Sequence, residues 1–166
     1  MEAFYYVDGD PLKGQWIDLE NINDLDDVRE VLAEGGWIPR DEDGNPDYGG
    51  DLLVADVEGD LPYCFMGRYG SFDLDDFIDA RDSRFDLNAI AAFIYLFDEW
   101  NAERFSDNYL GVYDSPEDYA YQYVDDCGLL DSLPKNLRCY FDYEKFASDL
   151  MINDITEHNG YYFYHW

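Results

Sequence analysis

Basic residues are what this sequence has least of. Three lysines and seven arginines stand against 28 aspartates and 11 glutamates. That deficit excludes a direct hold on nucleic acid or on an anionic membrane surface, since both are gripped through clustered Lys and Arg. Cysteine is nearly absent as well. Cys64, Cys127 and Cys139 are odd in number and form no CxxC pair, which excludes a disulfide framework and zinc-type spacing. They read as three buried small apolar residues in a reducing cytoplasm. The longest apolar run is the nine residues AIAAFIYLF at 89–97, about half of the roughly 20 needed to cross a bilayer. No basic-then-apolar signal segment opens the chain, so a soluble cytoplasmic protein is expected.

Catalytic signatures are missing too. The chain has no GxSxG, HExxH or phosphate-cradling loop. Its two histidines, His158 and His165, are seven residues apart and would face opposite ways on one straight strand. The run Asp41-Glu42-Asp43-Gly44-Asn45-Pro46-Asp47 alternates calcium-type ligands. Its glycine stands at position 4 instead of 6, and Leu52 occupies the place of the closing glutamate. A carboxylate pair suited to hydrolysis is uninformative among 39 acids. No enzyme, no cofactor and no metal are expected.

What is present is a core and a charge. Hydrophobic residues make up 47% and aromatics 19% of the 166 residues, yet the formal net charge is -29 and the pI is near 4.1. Acidic disordered chains are poor in aromatics, so the combination describes a folded body with an extreme negative field. The charge is no tail: residues 1–50 hold 14 acids, 51–100 hold 12 and 101–166 hold 13. A field of this sign attracts basic clefts, which DNA-binding proteins present.

The pattern predicts an α+β chain of three small domains, elongated because mutual repulsion spreads the carboxylates. Residues 1–61 form an α+β domain with a short antiparallel sheet. Strands at 3–8 and 14–19 flank a turn at Asp8-Gly9-Asp10-Pro11. A helix capped by Asn23 ends at Gly35-Gly36, and a strand follows at 52–57. Residues 62–104 form a helical domain, with helices over about 73–84 and 87–103. Residues 105–166 form an α+β domain. It holds a strand at 109–113, a helix opened by Ser115-Pro116 and closed by Gly128, a helical turn after Pro134 and a helix at 142–152. It closes in a hairpin on Asn159-Gly160.

Candidate functional residues follow from helical spacing at about 100° per residue. In the first helix Asp27, Glu30 and Glu34 make a stripe, with Asp24 at its start. In the central segment Asp75, Asp79, Asp82 and Asp86 fall within about 60° of arc and span roughly 16 Å if the helix reaches residue 86; Asp76 adjoins them. The loop adds Asp41, Asp43 and Asp47, and the third segment adds Asp114, Glu117, Asp118 and Asp125. Like charges at i,i+4 destabilise a helix by roughly 0.2–0.5 kcal/mol per pair, so stripes in every segment are costly to keep. Their spacing of about 5 Å resembles that of phosphates along a DNA strand. At one charge per about 1.7 Å of duplex axis, 39 carboxylates match at most roughly 20 base pairs.

The sequence resembles the ArdA antirestriction family. The N-terminal likeness is Gly14-Gln15-Trp16-Ile17-Asp18-Leu19. The C-terminal likeness is Cys127-Gly128-Leu129-Leu130-Asp131, Pro134-Lys135-Asn136-Leu137-Arg138, Tyr143-Glu144-Lys145-Phe146-Ala147 and Asp149-Leu150. The resemblance implies a DNA mimic that occupies the DNA groove of a type I restriction-modification enzyme at its methyltransferase core. It would block restriction and, to a lesser degree, modification. It also implies carriage on a mobile genetic element and a homodimer joined through the C-terminal domain. The antirestriction motif corresponds to about Tyr123–Leu133, where Val124, Leu129 and Leu130 read as packing or dimer contacts. Competing readings are an acidic decoy or chaperone for another basic DNA-binding protein, and a halophile-type acidic protein.

Overall fold

A computed structural model of the protein describes residues 1–165. The architecture is α+β, as expected: eight helices and two three-stranded antiparallel sheets among the described residues. Chain contacts divide it into two compact units, residues 1–91 and 92–166.

In the first unit, β1 (Glu2–Val7) lies between β2 (Asp10–Asp18) and β3 (Leu53–Glu58). Ala3, Tyr5 and Val7 alternate into the core, joined by Ile17 and Val54. Asp8 and Gly9 both take positive φ, 57° and 66°, which makes the hairpin a tight two-residue turn. The second strand begins four residues earlier than expected. Pro11 is tolerated there because β2 is an edge strand and a bulge interrupts its register opposite Tyr6 and Val7. Helix α1 (Leu25–Glu34) turns Val28 and Leu32 inward and stops where Gly36 adopts φ 78°. Its cap is Asp24, not Asn23: the Asp24 carboxylate accepts from the Asp27 N–H, while Asp27 accepts from the Asn23 N–H.

A short helix, α2 (Asp60–Tyr63), buries Leu61 and Pro62. Helix α3 (Leu74–Asp82) sets Phe77 against Phe65 and Phe72. Arg81 reaches back from α3 to donate to the carbonyls of Leu19 and Ile22, at 2.6 and 2.7 Å. The guanidinium thus satisfies two backbone acceptors beside the 3-10 turn at Leu19–Asn21.

Helix α4 (Leu87–Phe97) contains the division between the units. The expected helix over 87–103 is in fact two. Asp98 takes φ 57° and ends α4, and Asn101 caps α5 (Ala102–Asn108). The break lets Trp100 and Phe105 both pack edge-on or tilted around Phe93, which also meets Phe97 and Phe163. A continuous helix would carry these rings apart, so aromatic burial overrides helix propensity here.

The rest of the second unit is a sheet in the order β4 (Tyr109–Val112), β6 (Tyr161–Tyr164), β5 (Ile155–His158), with α6 (Pro116–Asp126), α7 (Lys135–Arg138) and α8 (Tyr143–Asn153). Ser115 caps α6 and Pro116 opens it, and Asp142 caps α8. Asn159 and Gly160 form the expected hairpin turn with φ 53° and 84°. This places His158 in β5 and His165 beyond β6. Tyr119, Ile155 and Tyr162 form a buried cluster edged by Tyr113, Tyr123 and Tyr164. Burial pushes the Tyr119 phenol well above its ordinary range, as it does for Tyr5 in the first unit.

The cysteines depart from expectation. Cys64 is half-buried, Cys127 and Cys139 are exposed, and all three are free thiols. Cys127 and Cys139 stand at the C-terminal caps of α6 and α7, and α7 has no buried residue of its own.

Candidate functional site

None of the acids is buried among the described residues. Of the nominated carboxylates, Asp27 and Glu30 are half-buried and all the others are exposed. Exposure does not make them equivalent, because local structure engages some and leaves others open.

Several hold helix ends. Asp24 caps α1. Asp86 accepts from the N–H groups of Asn88 and Ala89 and so caps α4. Ser115 and Asp118 bond reciprocally at the start of α6. A carboxylate at a helix N-terminus meets unpaired N–H donors and the positive end of the macrodipole. Others are ion-paired. Both Glu30 oxygens accept from Arg40, and both Asp82 oxygens accept from Arg81. The guanidinium partner holds each of these carboxyls below the usual range. Asp41 closes its own loop, accepting from the backbone N–H of Asp43 and of Asn45, and Asn45 above all lowers its pKa. The 41–47 segment is therefore a self-bonded turn.

The four-carboxylate stripe is shorter than expected. Helix α3 ends at Asp82 and Arg84 takes φ 66°, so Asp86 leaves the stripe and belongs to the next helix. Asp75, Asp79 and Asp82 stay on α3, with Asp76 beside them. Partial desolvation, then repulsion from Asp73, Asp79 and Asp75, raises the Asp76 pKa. Repulsion among these carboxylates is thus felt within one helix.

In the second unit a cleft of about 430 Å³ lies beside α6. Asp118, Asp125 and Asp131 line it together with Val124, Leu130 and the stacked rings of Tyr121 and Tyr143, whose centroids are 3.8 Å apart. Arg138, also in the lining, donates to the carbonyls of Leu133 and Asp131. Val124 is buried, Leu130 is half-buried and Leu129 is 46% exposed. Leu133, Leu137 and Tyr140 are exposed along the same stretch of chain.

The family model described as Antirestriction protein (ArdA) matches residues 4–163. The chain belongs to the ArdA antirestriction family. No curated protein matches it. The ArdA match runs through both units and takes in every nominated carboxylate. Among the described residues no helix is long and apolar enough to cross a membrane.

Sequence reasoning quoted Asp131 and Tyr143 only as family likeness and did not bring Tyr143 together with Tyr121 in this ArdA chain's cleft, because the two rings are 22 positions apart and meet only when α6 packs along α8. It also missed the capping role of Asp86. There the signal was legible: an aspartate directly before an apolar helical run is an N-cap pattern.

Proposed function

We propose that this ArdA chain inhibits a type I restriction-modification enzyme by occupying the DNA groove of its methyltransferase core. Restriction is blocked, and modification to a lesser degree. Carboxylates stand where the enzyme receives phosphates, and counterions held by both surfaces are released on contact. The observation that carries this reading is a net charge of -29 with no acid buried among the described residues. The acids spread through all three segments, 1–61, 62–104 and 105–166. The protein acts by binding alone, without cofactor, and holds neither DNA nor membrane.

Homodimerisation through the C-terminal segment completes the reading. Leu129, Leu133, Leu137 and Tyr140 are exposed there and supply apolar surface for a second copy.

Many weak contacts share such a surface, since an exposed ion pair contributes at most about 1 kcal/mol. Neutralising Asp75 or Glu117 alone is expected to raise the half-inhibitory concentration by no more than roughly fivefold. Neutralising Asp75, Asp76 and Asp79 together with Asp114, Glu117 and Asp125 is expected to raise it by well over tenfold. An inhibition assay on purified enzyme reads both. One acid whose loss abolishes inhibition would contradict the shared surface.

A further inference from the structure

The Asn159-Gly160 turn carries more chemistry than a hairpin needs. It is the one Asn-Gly pair in the sequence, and two reactive groups of β5 stand against it. The Gly160 backbone N–H donates to Glu157 Oε1 at 2.7 Å. The Asn159 side-chain nitrogen lies 3.1 Å from His158 Nε2. The imidazole is held in place by stacking on Tyr95, with centroids 3.8 Å apart and planes 20° apart. Asn159 itself is exposed, so water reaches it, and Gly160 has no side chain to crowd its nitrogen.

We propose that this turn is a self-deamidation site in which Glu157 acts as general base. The Gly160 nitrogen attacks Cγ of Asn159 and gives its proton to the Glu157 carboxylate. The N–Cγ bond forms and the tetrahedral carbon then expels its amide nitrogen. In the resting turn His158 Nε2 accepts from the Asn159 amide; once the tetrahedral carbon has formed, the imidazole takes the proton from Glu157 through water and hands it to the amide nitrogen, which leaves as ammonia. Water then opens the succinimide ring at either carbonyl, giving aspartate or isoaspartate at position 159. No oxidant or reductant is involved. The backbone of Asn159 must turn out of its left-handed conformation for the attack, a rotation confined to the Asn159-Gly160 peptide that gives up the 3.0 Å bond from Tyr113 N–H to the Gly160 carbonyl and keeps the β5–β6 pairing that carries Glu157 and His158. Either product adds a negative charge. Isoaspartate also lengthens the main chain between His158 and Tyr161, which pair directly across the turn.

The test is peptide mass spectrometry of the full chain held at neutral pH, resolving asparagine, aspartate and isoaspartate at position 159 over time. The folded protein is expected to convert faster than the same chain unfolded in urea. Glu157→Gln keeps an acceptor for the Gly160 N–H, so the hairpin persists while the base is lost. Its conversion is expected to slow roughly tenfold or more. Glu157→Asp keeps the charge but withdraws it by one methylene, and is expected to slow as well. Conversion of either variant at the wild-type rate, or slower conversion in the folded chain than in urea, would overturn the proposal.

Discussion

At Asp86 the two roles of a surface carboxylate can be separated by substitution. Its oxygen accepts from two N–H groups at the start of α4. Asp86→Ala is expected to lower stability by about 1 kcal/mol through loss of the cap. Asp86→Asn keeps the cap and removes the charge, so its urea midpoint stays near wild type. An Asn variant as unstable as the Ala variant would show that charge, not capping, matters there. Gly14 is constrained by space instead. A Cβ there would lie 2.0 Å from the Tyr5 carbonyl oxygen across the β1–β2 pair. Gly14→Ala is therefore expected to cost about 1–3 kcal/mol, read by the same midpoint. The glycine was visible in the sequence, but the approach of Tyr5 that requires it depends on strand register.

Within α3, helix formation and charge oppose one another. Asp75, Asp76 and Asp79 crowd one short helix, and the Asp76 pKa is raised. A carboxyl whose pKa rises on folding penalises the folded state at pH above that value, and the penalty is relieved as pH falls through it. Asp76→Asn is thus expected to raise the Tm at pH 7 and to lose that advantage below pH of about 4. Thermal melts across that range decide it, and an advantage independent of pH would contradict the electrostatic origin. Glu30, Asp41 and Asp82 carry the opposite sign. Their lowered pKa values stabilise the fold above the ordinary carboxylate range, and that contribution disappears as pH falls through them. Elements of this kind were largely legible in the sequence. Asp8-Gly9 and Asn159-Gly160 announce their turns, Gly35-Gly36 ends α1, and Ser115-Pro116 opens α6, because each rests on local backbone preference. The break at Asp98 was not legible. The run from Leu87 to Phe105 keeps helical spacing, and only the tertiary cluster around Phe93 favours turning at residue 98. The α3 stripe failed at Asp86 for a related reason: Arg84 takes a left-handed conformation between two helices that the sequence pattern allows to run on.

For the molecule as a whole, a net charge of -29 acts on the fold and on binding with opposite sign. Self-repulsion weakens the folded state and is screened by salt, with a Debye length of about 10 Å at 0.1 M and 3 Å at 1 M. Stability is therefore expected to rise with sodium chloride over the range in which inhibition weakens, and parallel melts and inhibition assays check the crossing trends. The acidity that motivates the proposal of mimicry was fully visible in composition. Which acids face a partner was not, because capping and ion pairing are settled by the fold around Asp24, Glu30, Asp82 and Asp86. The most direct test titrates the purified protein into a type I methyltransferase core bound to labelled duplex DNA, at low and at high salt. Competitive mimicry predicts release of the DNA at near-stoichiometric inhibitor, with release becoming weaker as salt rises. Retention of the DNA at large inhibitor excess, while the inhibitor is folded, would contradict the account.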